Sequence, residues 1–140
     1  MNDLCIKILE KRGIKPTSIR ILILRTMFGF DRAFSMTDLE YTLETVDKST
    51  VSRTIHLFLE HKLIHSIDDG SGSIKYAVCN DGCDCELDNL HVHFHCRKCG
   101  KTFCLENIAI PGIKAPEGLF FESVNLVIKG ICSECLKFAT

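Results

Sequence analysis

A chain of 140 residues, 46% of them hydrophobic and with a formal net charge of −1, can bury one sizeable core or two half-size ones, and it carries no basic arm for holding a polyanion. Its longest apolar runs, near 21–24 and 126–128, fall far short of the roughly 18 residues that cross a bilayer, so no membrane partner is expected. Nine cysteines, an odd number, behind an amino terminus without a secretion signal point to a reducing cytoplasm and to metal chemistry over a disulfide framework.

In chain order, residues 3–12 place Leu4, Cys5, Ile8 and Leu9 at helical spacing, and Gly13 stops the helix. A second helix is predicted from Pro16-Thr17 to Gly29 through Ile19, Leu22, Ile23 and Met27, with Arg20 and Arg25 off its apolar stripe. Ser35 with Asp38 resembles a capping box opening a short helix that carries Leu39 and Leu43. In the fourth helix, behind an N-cap at Asp47, the residues Val51, Ile55, Phe58 and Leu59 make one apolar face. Ser49, Arg53, His56 and Glu60 lie opposite, with Ser52 at the edge. First turns that offer Ser49, Thr50, Ser52 and Arg53 outward suit a major groove, where short donors and an arginine reach phosphates and base edges; a plain solvated face would look the same.

Residues 63–67 and 74–78, joined by Asp68-Asp69-Gly70-Ser71-Gly72-Ser73, read as a β-hairpin. Short helices followed by such a hairpin make a winged helix-turn-helix, which strengthens the DNA reading. A polar, acidic stretch holding Cys79, Cys83 and Cys85 breaks the composition. The predicted division is a winged helix over 1–79, a hinge loop over 80–89 and a dimerisation and metal-binding domain over 90–140, an α+β architecture.

The run Leu90-His91-Val92-His93-Phe94-His95-Cys96 alternates strictly, with three histidines on one face and Cys96 on the other. Three histidines beside a cysteine-rich loop form a metal-site pattern, and the opposite parity of Cys96 implies two separate sites. Cys96-Arg97-Lys98-Cys99-Gly100 is answered by Cys132-Ser133-Glu134-Cys135. Four thiolates in two CxxC pairs close a tetrahedral shell around Zn²⁺, the glycine suits the turn, and the binding energy becomes folding energy. Buried thiols, disulfides or a thioredoxin-like motif are the other readings of these four. Residues 101–105 should form a returning strand, 107–118 a loop, and 121–130 a strand leading into the second CxxC. A small sheet with this much apolar surface calls for a partner, so a homodimer is expected.

With a winged helix in the first half and His91-x-His93-x-x-Cys96-x-x-Cys99-Gly100-Lys101 plus Gly130-x-Cys132-x-x-Cys135 in the second, the sequence resembles the ferric uptake regulator family of metal-dependent repressors. The resemblance implies a winged helix that binds an operator as a dimer, with Arg20 and Thr50-Val51-Ser52-Arg53 in the corresponding places. It also implies a structural zinc on Cys96, Cys99, Cys132 and Cys135, and a regulatory metal near the hinge with His91 and His93 among its ligands. Cys79 stands where zinc-sensing relatives place a cysteine. Other family ligands are replaced: Ala33, Ala77 and Val124 stand for two histidines and an acid, Cys104 for a second acid, and Ser52 for a tyrosine. Thiols in place of carboxylates soften the site, so a regulatory set of His91, His93, Cys79 and Cys104 would take Zn²⁺ ahead of Fe²⁺.

Three rival functions remain at this level. The trigger would be thiol oxidation or haem, the chain would be a thiol or zinc enzyme, or it would be a zinc-ribbon module binding protein. A closed four-thiolate site leaves no open coordination position, which argues against the enzyme.

Overall fold

The computed structural model describes residues 1–78, 91–109, 113–122 and 124–138, with 91, 106, 107 and 109 described by their backbone alone. The hinge loop, and with it Cys79, Cys83 and Cys85, lies outside the described residues.

The first half builds its core from helices whose apolar stripes were legible in sequence. Helix α1 (Asn2–Lys11) buries Cys5 and Leu9 while Leu4 stays exposed. Helix α2 (Ser18–Phe28) starts at Thr17, whose hydroxyl accepts the Arg20 amide at 3.3 Å. A two-residue strand β1 (Phe34–Ser35) leads into α3 (Met36–Thr42), and here the capping box is complete. Asp38 N–H donates to Ser35 Oγ at 3.1 Å, and Ser35 N–H donates to Asp38 Oδ2 at 2.9 Å. Helix α4 (Lys48–Glu60) turns Val51, Ile55 and Phe58 into a core shared with Ile23, Leu24 and Leu39.

The hairpin follows as β2 (Ile64–Asp68) and β3 (Ile74–Val78), antiparallel. β1 adds a third strand to it, pairing Phe34 with Tyr76, which the sequence did not signal. The buried Phe34 ring stacks on Phe30 at 5.2 Å and lies 6.4 Å from the Tyr76 ring of β3, which packs that short strand against the wing.

The second sheet is centred on β4 (His91–Cys96), with β5 (Thr102–Ala109) antiparallel on one side and β6 (Leu126–Gly130) parallel on the other. β5 runs farther than predicted, because pairing resumes between His91 and Ala109 after an irregularity in the ladder. β6 begins later than predicted, and it is parallel to β4 because β5, the strand before it in the chain, already runs the opposite way. Helix α5 (Ser133–Lys137) closes the described chain; it was not anticipated.

Alternation gives this sheet two chemically different faces. Paired residues share a face, so His93 with Cys104 and His95 with Thr102 stand on one side. Phe94 with Phe103 and Ile128, and Val92 with Leu126, stand on the other. The histidine face packs on the wing hairpin. Ala33 N–H donates to the Thr102 carbonyl at 2.8 Å, and Asn125 Nδ2 donates to the Asp68 carbonyl at 2.6 Å. On the opposite face Leu126 and Ile128 remain exposed.

Candidate metal centres and nucleic-acid interface

Cys96 ends β4, and the chain turns back at Gly100, whose φ of +80° is left-handed and whose amide closes on the Cys96 carbonyl at 2.9 Å. Cys132 is the N-cap of α5 and Cys135 lies in its first turn. All four sulfurs fall within 4.8 Å of one another, with Cys96 to Cys135 and Cys99 to Cys132 each at 3.8 Å. Tetrahedral zinc with bonds of about 2.3 Å places its sulfurs about 3.8 Å apart, whereas a disulfide needs about 2 Å. Both the geometry and the donor set therefore fit Zn²⁺.

The electrostatics agree. Backbone N–H groups of Cys99 and Cys132 donate to Cys96 Sγ at 3.5 and 3.4 Å, and they bring its thiol down to about 5. Burial, together with the neighbouring thiols, pushes Cys135 up to about 12. The Cys96 sulfur is prepared as a thiolate, and a cation is what would offset the cost of ionising Cys135 beside it. When bound, Zn²⁺ supplies that positive charge and ties the end of the chain to β4. The four cysteines fit a structural zinc site.

A second cluster sits on the histidine face, on the other side of β4 as the parity required. His65 Nε2 of β2 lies 3.2 Å from His93 Nε2 of β4 and 3.6 Å from Cys104 Sγ of β5, with all three donor atoms within 4.8 Å. His93 is buried. The structure thus joins His93 and Cys104 as the sequence suggested, and adds His65, which sequence reasoning missed. Its only signal was a polar ring inside the apolar run Leu63-Ile64-His65, and nothing local distinguishes that from a surface histidine. The side chain of His91 and all of Cys79 lie outside the described residues. His95 departs from the predicted cluster: its Nδ1 is 2.9 Å from Thr102 Oγ1 and 3.3 Å from Asp69 Oδ2.

On α4, Ser49, Arg53 and His56 are exposed, and Thr50 and Ser52 are half-buried at the edge of the same face. Two of the hydroxyls are already engaged. Ser49 Oγ and Thr50 Oγ1 each donate to Asp47 Oδ2 at 2.8 Å, and these bonds hold the Asp47 carboxyl below its ordinary range. Arg53 Nη2 donates to Thr50 Oγ1 at 3.4 Å. Arg20, Thr50 and Arg53 line one hollow of about 390 Å³ between α2 and α4, which brings the two arginines to a common surface.

A model of the ferric uptake regulator family matches residues 11–127 of the chain. The chain belongs to the ferric uptake regulator family. Its curated relatives include the ferric uptake regulation proteins of Campylobacter jejuni, 27% identical over 92% of this chain and 84% of that protein, and of Campylobacter upsaliensis, 30% identical over 92% and 85%. Among solved structures, a zinc uptake regulator in complex with zinc and DNA superposes with a TM-score of 0.74 at 21% identity, covering 98% of this chain and 93% of that one. The ferric uptake regulator of Helicobacter pylori, described as having three functional metal binding sites, gives 0.61 at 14% identity over 97% and 94%. These structures share the fold.

As a ferric uptake regulator family protein, the chain is of a class of metal-responsive transcription regulators. Within that frame, Ala33, Ala77 and Cys104, three positions where the resemblance expects ligands, line one hollow of about 290 Å³. Methyl groups at two of them remove donors from that hollow, and the Cys104 thiol reaches His65 instead.

Proposed function

We propose that this family member is a homodimeric, cytoplasmic repressor whose grip on operator DNA is set by a second divalent ion, Zn²⁺ ahead of Fe²⁺, at His65, His93 and Cys104. One observation carries the reading: the three donors come from the wing hairpin and from two strands of the other sheet, so closing them on one cation links the DNA-reading half to the metal-binding half. A cation there supplies the charge that holds two imidazoles and a thiolate together. The mixed nitrogen and sulfur set favours a borderline-soft metal over Mn²⁺ or Mg²⁺. His91 and Cys79 remain candidate further ligands, and the division at 79/80 and 89/90 is part of the same proposal.

The winged helix would dock α4 in the major groove, with Arg20, Ser49, Thr50, Ser52, Arg53 and His56 as its contacts. Two heads must meet successive grooves about 34 Å apart, so a change in the angle between the halves of each protomer alters affinity. The exposed apolar side of the second sheet supports the dimer. Genes of metal homeostasis are the expected targets, and membership of a family of transcription regulators speaks against an enzyme.

The test uses a duplex enriched from a random pool by the zinc-loaded protein. Protein holding only its structural zinc is titrated with Zn²⁺ while fluorescence anisotropy reports DNA binding. Affinity should rise by about 5- to 150-fold as one further ion per chain binds, and the rise should disappear in His65→Ala and Cys104→Ser. Affinity unchanged at full occupancy removes the sensor. A response to mild oxidant, with that site metal-free, would favour the thiol trigger.

A further inference from the structure

Asp69 follows directly on β2 at the start of the wing turn, and it is 1% exposed although nothing in the DNA or metal sites uses it. Its carboxylate is met from two directions. From the wing, Ser71 N–H donates at 2.9 Å and Lys75 Nζ lies at 3.3 Å. From the second sheet, Thr102 Oγ1 donates at 2.7 Å and His95 Nδ1 stands at 3.3 Å. The Thr102 hydroxyl has one proton, and it is donated in the hydrogen bond to the carboxylate. Its oxygen is then left to accept from His95 at 2.9 Å, which places a proton on His95 Nδ1. Thr102 is fully buried, and its carbonyl also accepts the Ala33 amide.

The arrangement repeats the geometry of the metal cluster one step along the ladder. His93 pairs with Cys104, and His95 pairs with Thr102, on the same face of the same two strands. His65 and Asp69 are the corresponding wing residues, four positions apart on one extended segment and so about 13 Å from each other. A body attached at one point still pivots; attachment at two points removes most of that freedom. We propose that Asp69, through Thr102 and His95, is a positioning residue: a metal-independent pivot about which the winged helix turns, so that filling the cluster at His65 fixes the angle instead of merely docking the halves. A buried carboxylate stripped of its partners is costly, so the pivot holds without an ion at His65.

The coupling part rests on the regulatory reading given above; the pivot itself does not. Full-length wild type, Asp69→Asn, Thr102→Val and Thr102→Ser, each retaining structural zinc, are compared in two measurements. The first is hydrogen exchange of the Ala33 amide, which bonds across the two halves, with no ion at the His65 cluster. It should quicken by about tenfold or more in Asp69→Asn and Thr102→Val and stay near wild type in Thr102→Ser, while the core amides of Leu24 and Ile55 hold their protection. The second is a Co²⁺ titration, read by absorption for metal and by anisotropy for the selected duplex. Metal affinity should stay within about threefold of wild type while the metal-driven gain in DNA affinity falls about tenfold. Unchanged Ala33 exchange overturns the pivot, as does core and Ala33 protection lost together in both Asp69→Asn and Thr102→Val. A wild type that binds Co²⁺ without a change in DNA affinity overturns the regulatory reading alone, and the exchange measurement then still decides the pivot.

Discussion

Cys96 receives two backbone amides at its sulfur and is fully buried, which makes it the most constrained of the four zinc ligands. Its replacement by serine should remove one zinc per chain by elemental analysis and lower the melting midpoint by about 10 °C or more, since zinc binding is folding energy here. Asp69 gives a prediction with a pH signature. Burial alone would raise its carboxyl, but hydrogen bonds from Ser71, Thr102 and Lys75 outweigh burial and hold it well below the ordinary carboxylate range. Because the folded value lies below the unfolded one, the stabilisation is complete above about pH 4 and is lost as pH falls below that toward the folded value. Urea unfolding should show Asp69→Asn less stable by about 1.5–3 kcal/mol at pH 7, with the gap from wild type narrowing below pH 4. At this scale the cysteine quartet was legible because CxxC spacing is local geometry. His65 was not, because a single ring on a strand becomes a ligand only when two other strands bring it partners.

Among the elements, α3 shows how far local rules reach. Ser35 and Asp38 satisfy each other's backbone amides as the capping pattern requires, in a segment only seven residues long. Ser35→Ala should therefore destabilise by about 1 kcal/mol, a fall in melting midpoint of about 2–4 °C by calorimetry, with zinc content unchanged. The α4 stripe and the hairpin were equally readable from periodicity and turn residues. The N-cap differs in detail: Asp47 binds two side-chain hydroxyls, so part of the polar face is committed to its own helix. β1, the parallel direction of β6 and the appearance of α5 were beyond local rules. A two-residue strand has no period, the pairing of β6 with β4 depends on which edge of the sheet the chain returns to, and α5 is barely more than one turn.

For the whole molecule, the second sheet presents the wing with histidines, a thiol and a threonine, and presents solvent with Leu126 at 40% and Ile128 at 44% exposure. An apolar strip of this kind on a three-stranded sheet fits association with a second copy. Ile128→Glu should convert a dimer into a monomer in sedimentation velocity while leaving zinc content intact, and DNA affinity should fall because one head contacts only one half-site. A variant that sediments as the wild type would place the dimer contact elsewhere.

By itself the sequence determined the helical core of the first half, the hairpin after it, the zinc-binding sulfurs and the two-sidedness of β4, because each is written in spacing over a few residues. Tertiary structure alone decided that His65 joins His93 and Cys104, and that His95 leaves the metal cluster for Asp69. Both depend on how the wing lies across the sheet. That contact brings together residues tens of positions apart, and no local period encodes it.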